Sequence, residues 1–350
     1  MGLFVFEGWD HYGSASTDML TRSGRLQWTS SSCAISALNR AGTGKSLAFG
    51  QGGSLFGSLS QNFGTIIFGM GIIFNQSSGN DNFRIFLLDG SIGTQVEIEL
   101  KPSTGQINLY RGPGTTLIYS SLLNQFPVGV WCFFEFKLKV DNTTGTFAFQ
   151  VNSILKDSVS GLDTQTTINS WVNVLEITTF PAGSGWTANV DDLYINDITV
   201  DPGPYPMNDF AGDLRVVTLF AVGNNSVQWT PLAGTNWQEI SEVAFDGDTT
   251  YNSTTTPGQE DTFNYGALPA TINHVIGVQA TGAYRKTNAS TVTFQQAVIS
   301  GVTEVYGTLQ SAGNNYAYFT DLYLTDPNSG AAWTTTAVNS IKVGYKDITV

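Results

Sequence analysis

The sequence predicts an all-β protein, and three observations carry that expectation. Charged residues make up 12% of the 350-residue chain, about half the share found in an average soluble domain. Gly, Ser, Thr and Asn fill the gap; they suit tight turns and pleated surfaces, because Gly and Asn accept positive φ and Thr is β-branched. Apolar and polar residues also alternate with period two in one segment after another. Long amphipathic helices would need more Ala, Glu, Lys and Arg than the chain holds.

The alternation is clearest from Trp131 to Val140. Cys132, Phe134, Phe136, Leu138 and Val140 share one face, and Glu135, Lys137 and Lys139 the other, as in a strand with one buried and one wet side. Asp141-Asn142-Thr143-Thr144-Gly145 has the composition of a hairpin turn, and Phe147, Phe149 and Val151 line the return strand. Val96, Ile98 and Leu100 alternate with Gln95, Glu97, Glu99 and Lys101, and Phe83, Ile85 and Leu87 repeat the pattern. Thr65 to Phe74 is apolar on both faces and is expected at the centre of a sheet. Later strands are expected at Leu214–Phe220, His274–Ala280, Thr291–Ile299, Tyr316–Leu324 and Ile341–Val350.

A chain of 350 residues with 41% apolar content can furnish two cores. Pro202, Pro204 and Pro206 each remove a donor and fix φ, which stops a strand ladder. Residues 202–209 are therefore expected to be a Pro-rich linker between a domain at 1–201 and a second at 210–350.

The net charge of −13, with no basic cluster beyond Arg285-Lys286, argues against nucleic acid as a partner and against an anionic membrane surface. No apolar stretch reaches the 18 or so residues of a membrane-spanning helix. Cys33 and Cys132 are the only cysteines, which suits two buried thiols in a reducing cytoplasm, with a Cys33–Cys132 bridge as the alternative. The start, Met-Gly-Leu-Phe-Val-Phe-Glu-Gly, has no basic segment ahead of its short apolar run, so no signal peptide is expected.

Residues 1–200 resemble the concanavalin A-like (laminin-G-like) jelly-roll sandwich. The resemblance is carried by Phe6-Glu7-Gly8-Trp9-Asp10-His11-Tyr12, Gly42-Thr43-Gly44-Lys45-Ser46-Leu47, Trp131 before a long strand, the Val151-Asn152 hairpin, and Val190-Asp191-Asp192-Leu193-Tyr194-Ile195. Ser153 departs from the pattern, which has Gly after that Asn. The remainder resembles the C-terminal region of virion proteins of tailed phages, through Gly212-Asp213-Leu214-Arg215-Val216, Trp229, Trp237, Asp246-Gly247-Asp248-Thr249-Thr250-Tyr251 and the run from Asp326 to Thr334. The resemblance implies a sandwich or jelly roll followed by a smaller β-sandwich domain.

Candidate chemistry is sparse. Gly44-Lys45-Ser46 lacks the Gly a phosphate loop needs at position 39, which is Asn39, so a turn is expected. Val96-Glu97-Ile98-Glu99-Leu100 resembles the catalytic strand of sandwich-fold glucanases, whose retaining mechanism needs two closely spaced carboxylates. The third place of that pattern is Lys101 here, and shifting the frame puts Gln95 in the first. Glu97 and Glu99 are therefore read as a solvated strand face. Asp191 and Asp192 invite a calcium site, but neighbours on a strand point to opposite faces, so a capped turn with a solvent-facing Asp is preferred; Asp246 and Asp248 are read alike. His11 and His274 stand apart with no metal-binding spacing, and His11 is expected to be exposed. Trp186, Trp229, Trp237 and Trp333 are core residues or sugar platforms.

No catalytic, cofactor-binding or metal residue is assigned. The expected function is that of a non-enzymatic structural protein on a bacteriophage particle: capsid decoration or cement, knob or fibre. The alternative is a tail adhesin that binds host-surface carbohydrate. Expected partners are copies of itself, the major capsid protein or a tail component, and host glycan; the expected location is the virion, assembled in the bacterial cytoplasm. The Ser340–Val350 strand and the scarcity of charged edge residues favour association of copies, and the virion resemblance makes a homotrimer the expected form.

Overall fold

In a computed structural model, the described residues are 3–13, 27–40, 42, 44–75, 82–90, 93–179, 185–199, 207–243 and 245–349, with side chains from 32 onward in the second of these stretches. The expected all-β class is observed. Thirteen strands build the first part: β1 (Leu3–Glu7), β2 (Gln27–Ser36), β3 (Ser46–Phe63), β4 (Thr65–Asn75), β5 (Phe83–Asp89), β6 (Gly93–Lys101), β7 (Gln106–Arg111), β8 (Thr116–Ser120), β9 (Cys132–Lys139), β10 (Gly145–Val151), β11 (Ile154–Leu162), β12 (Val172–Thr178) and β13 (Thr187–Asn196).

Hydrogen bonding links them in the order β11-β10-β9-β4-β13-β3-β12-β5-β6-β7-β8, with β1 on β13 and β2 on β3. β3 turns the corner between two layers. Leu47 to Phe49 pair with β13, whereas Ser54 to Phe63 pair with β12. Gly50-Gln51-Gly52-Gly53 lies between, with Gly52 at φ +69°. Only glycine enters that region without strain, and such a bend is how a strand passes from one sheet to another.

The period-two apolar faces meet between the layers. Phe74 on β4 packs edge-on against Phe83 on β5 at 5.4 Å, and Tyr119 on β8 lies 5.6 Å from Phe147 on β10. β4 sits between β9 and β13, buried along nearly its whole length as its two apolar faces predict. Both cysteines are buried and unbridged. At the Val151-Asn152 hairpin, Asn152 and Ser153 have φ of 51° and 60°. Ser153 is accounted for by its hydroxyl, which accepts the Asp213 amide at 3.0 Å.

The second part uses β14 (Ala221–Ser226), β15 (Thr230–Pro231), β16 (Asn252–Ser253), β17 (Glu260–Tyr265), β18 (Val278–Tyr284), β19 (Thr293–Ser300), β20 (Thr303–Tyr306), β21 (Gln310–Ser311), β22 (Ala317–Tyr323), α1 (Thr335–Asn339) and β23 (Lys342–Asp347). One sheet runs β14-β17-β23-β19-β20, and β18 pairs with β22 in another. Three of the five later strands fall where expected (β19, β22 and β23), whereas the strand expected at His274–Ala280 begins only at Val278 and runs to Tyr284. Leu214–Phe220 is not a strand: the Val216 amide donates to the Asp192 carboxylate at 2.8 Å rather than to a neighbouring ladder.

Pro202 to Pro206 lie outside the described residues. Beyond them, Met207, Phe210, Ala211 and Leu214 pack on Leu3, Ile67, Phe133 and Tyr194. This overturns the expected wet face of Trp131–Val140 at Phe133 and Glu135, while Lys137 and Lys139 further along the strand stay partly exposed. Phe133 and Glu135 are both fully buried, and Glu135 accepts the Tyr194 hydroxyl and the Gly212 amide at 2.5 and 2.8 Å.

Candidate functional site

The outer surface of the layer β3-β12-β5-β6-β7-β8 carries a row of aromatic and charged side chains. Register decides the grouping. Phe56 lies opposite Glu176, Glu176 opposite Phe86, Phe86 opposite Glu97, and Glu97 opposite Tyr110. A second row runs from Thr178 through Arg84, Glu99 and Asn108 to Ser120. Directly opposed side chains in a sheet stand within contact of one another, so rings and carboxylates alternate across five strands. Phe56, Phe86, Tyr110 and Glu176 are half-buried, and the Arg84 side chain is 42% exposed.

Glu97 and Glu99 are brought together on this face as the alternation requires, yet they are not solvated: they are 1% and 5% exposed. The turn after β7 covers Glu97. A Cβ on Gly114, which stands at φ +65°, would lie 3.2 Å from Glu97 Oε2, so a bare glycine backbone passes over the carboxylate. Arg84 Nε approaches Glu97 Oε1 at 3.2 Å. Burial raises the Glu97 pKa, Arg84 opposes it and Glu99 adds to it. Glu99 Oε2 accepts both the Asn108 amide at 2.8 Å and the Tyr110 hydroxyl at 3.1 Å. Asn108 is in turn fixed by Ser120, whose hydroxyl donates to its Oδ1 at 2.7 Å. Burial, followed by Glu99, pushes the Tyr110 pKa up, and burial raises that of Glu176. Side chains pinned in this way keep their shape before a ligand arrives, which lowers the cost of binding.

Gln95 is fully buried, and it ties down the loop bordering this face. Its Oε1 accepts the amides of Thr166 and Thr167 at 2.7 and 3.1 Å, and its Nε2 donates to Thr167 and Asn169. The sequence shows Gln95 as one more polar position of an alternating strand, with nothing to mark the remote loop that uses it.

Asp191 and Asp192 depart from expectation. A register shift separates Asp191 from Tyr194, and Asp192 stands at φ 54°. The bulge turns both carboxylates to one partner: Asp191 Oδ2 accepts the Arg40 amide, and Asp192 Oδ2 the Arg40 guanidinium, each at 2.9 Å. They are 4% and 2% exposed, so neither faces solvent. Burial and the adjoining Asp192 raise the Asp191 pKa.

His11 is not freely exposed either. Its ring lies 5.1 Å from that of Tyr318, edge to face, and burial lowers its pKa to about 4. Gly44 to Ser46 is a bend into β3, with the Lys45 amide on Asp10 at 2.6 Å. Trp186 and Trp333 are each 3% exposed and belong to the core. Trp229 and Trp237 are half-buried in the second part.

No protein-family model matches the chain, and no curated protein matches it. Among solved structures, it is similar to the cellulose-induced protein Cip1, with 13% identity over 55% of this chain and 96% of that one, at a TM-score of 0.40. It is similar to domain 4 of AbnA, an extracellular GH43 arabinanase of Geobacillus stearothermophilus solved with arabinotriose, with 15% identity over 56% and 92% and a TM-score of 0.38. A Lotus tetragonolobus seed lectin shares 10% identity over 55% and 97%, with a TM-score of 0.36.

Proposed function

We propose that the chain binds glycans without cleaving them, and that the ligand lies across the outer face of β12-β5-β6-β7. One observation carries this reading: the register-aligned row Phe56–Glu176–Phe86–Glu97–Tyr110, flanked by Arg84, Glu99 and Asn108. Half-buried rings offer flat apolar surface to the C–H face of a sugar, and the exposed Arg84 guanidinium and the half-buried Glu176 carboxylate meet its hydroxyls, while the buried Glu97, Glu99 and Asn108 hold Arg84 and Tyr110 in place. A retaining hydrolase needs two carboxyl groups about 5–5.5 Å apart on either side of the bond, one acting as nucleophile and the other as acid. Here Glu97 is held by Arg84 beneath the Gly114 turn, Glu99 is engaged with Asn108 and Tyr110, and the next outward position is Lys101.

A glycan array followed by calorimetry on the full chain tests the proposal. Tyr110→Ala and Glu99→Gln should each weaken a bound glycan at least tenfold, with no release of reducing ends by any variant. Unchanged affinity in both variants, or reducing-end release that Glu97→Gln abolishes, would overturn it.

Placement on a bacteriophage particle belongs to the same proposal, and its support is the two-part sequence resemblance. Mass spectrometry of purified particles tests it. A few copies per particle fit a tail adhesin, hundreds fit capsid decoration, and absence of the chain removes both.

A further inference from the structure

Glu176 differs from the other carboxylates of the sheet face. Glu97 is held by Arg84, and Glu99 by Asn108 and Tyr110, whereas the Glu176 carboxylate has neither a hydrogen bond nor an ion pair among the described residues. It is half-buried all the same, because it stands between two rings: Phe56 lies directly opposite on β3 and Phe86 directly opposite on β5, and side chains so opposed touch. Burial raises the Glu176 pKa with no neighbouring charge to offset it, as Arg84 does for Glu97. A carboxylate that loses part of its water without gaining a partner is destabilised, and this one stays open enough for a ligand to supply the partner.

An ammonium group fits this position better than a hydroxyl does. The face of an aromatic ring carries negative charge density, so a cation between Phe56 and Phe86 is attracted by both rings and by the carboxylate at once. A hydroxyl has only the carboxylate to gain from. The surroundings agree in sign. The two rows of this face carry three carboxylates (Glu97, Glu99 and Glu176) against one guanidinium, and that guanidinium, Arg84, already lies against Glu97. Lys101 stands apart at the far end of β6. Five strands about 4.8 Å apart give the first row a length of about 19 Å, room for a chain of several sugar rings.

We infer that the glycan bound here is a cationic one, a chain of hexosamine units with free amino groups, and that Glu176 selects it by taking one ammonium between Phe56 and Phe86. In such a glycan the ammonium replaces the hydroxyl that Glu176 would otherwise meet, which makes Glu176 the residue that sets specificity. This inference rests on the glycan reading of the sheet face and narrows it to one class of sugar.

The test is calorimetry on the full chain with tetrasaccharides, at low salt and a pH that keeps amines protonated. Cellotetraose, chitotetraose and the free-amine glucosamine tetramer differ only in carrying hydroxyl, acetamide or ammonium at C2; a galactosamine tetramer covers the other common ring. The tighter of the two amino tetramers should bind at least tenfold better than cellotetraose or chitotetraose. Glu176→Gln, of the same size and at a half-buried position, should remove that preference. Phe86→Leu keeps apolar bulk but loses the ring face, and should weaken the amino tetramer about threefold; circular dichroism checks both folds, and Glu176→Gln decides the matter if Phe86→Leu unfolds. Equal or tighter binding of cellotetraose or chitotetraose, or of a neutral glycan on the array alone, would overturn this inference and leave the sheet-face reading standing. A preference that survives Glu176→Gln would overturn it too, as would putrescine binding as tightly as the amino tetramers. Failure of every glycan to bind would overturn both readings.

Discussion

Removing the Asp192 carboxylate should loosen the hold of the sandwich on the chain that follows it. Asp192 accepts from the Arg40 guanidinium at 2.9 Å and from the Val216 amide at 2.8 Å, with Arg215 at 3.5 Å. Both side chains of the Arg40–Asp192 pair are 3% exposed, so solvent screens it little. The Arg40 guanidinium also meets Asp213 and the Leu214 carbonyl and lies 4.5 Å over the Phe133 ring. Burial already lowers the Arg40 pKa to about 10, against the pull of Asp192. Breaking a buried pair by deleting one partner costs about 3–5 kcal/mol, which is a fall in Tm of about 4–7 °C for a chain of this size. Asp192→Ala should therefore lose that much in urea and thermal melts, and residues 207–220 should become cleavable by protease. Replacing the partner as well tests the cause. Arg40→Met with Asp192→Ala should cost much less than the two single changes added together, because no buried charge is stranded. A loss below about 1 kcal/mol for Asp192→Ala, or strict additivity in the cycle, would refute the reasoning.

Further outcomes follow from the same structure. Glu7, whose pKa burial raises to about 7, and His11, lowered to about 4, stand 3.8 Å apart. Between about pH 4.5 and 6.5 the pair holds one proton folded (on Glu7) and one unfolded (on His11), so its contribution to stability is flat there. Glu7→Gln leaves a neutral folded His11 against a protonated unfolded one, so stability should fall as pH drops from 6.5 towards 4. His11→Asn should do the reverse, with stability lost as pH rises from 4.5 towards 7, and each slope should approach 1.4 kcal/mol per pH unit in melts. Gly344→Ala should cost about 3 kcal/mol, because its Cβ would collide with the Asp261 carbonyl of the paired strand; a melt unchanged within 0.5 kcal/mol would contradict this. Among the described residues, β8 and β11 end the main strand order of the first sheet with one unpaired edge each, and β11 exposes Ile154 and Leu155. On the expectation that copies associate, light scattering should find a trimer at micromolar concentration, and a stable monomer would count against it.

Much of the architecture could be read from residue order alone. Period-two alternation located the strands around Phe83–Leu87, Val96–Leu100, Phe134–Leu138 and Phe147–Val151, and told which side chains enter the core, because a strand's faces alternate strictly. The glucanase-like motif also showed that Glu97 and Glu99 share a face and that Lys101 takes the place of a third carboxylate. What lies on the outer face was not legible. Glu135 and Glu97 sit at equivalent polar positions, yet one is buried by residues 210–214, about 75 positions downstream, and the other by the Gly112–Thr115 turn. The Asp191-Asp192 pair looked split by strand geometry until a bulge turned both towards Arg40, some 150 residues away. The row Phe56–Glu176–Phe86–Glu97–Tyr110 draws on five segments scattered over about 120 residue positions. Local sequence determines which face a side chain takes, because that follows from backbone period. The remote chain that covers the face, and the register that aligns its neighbours, follow from long-range packing, and these the tertiary structure alone decided.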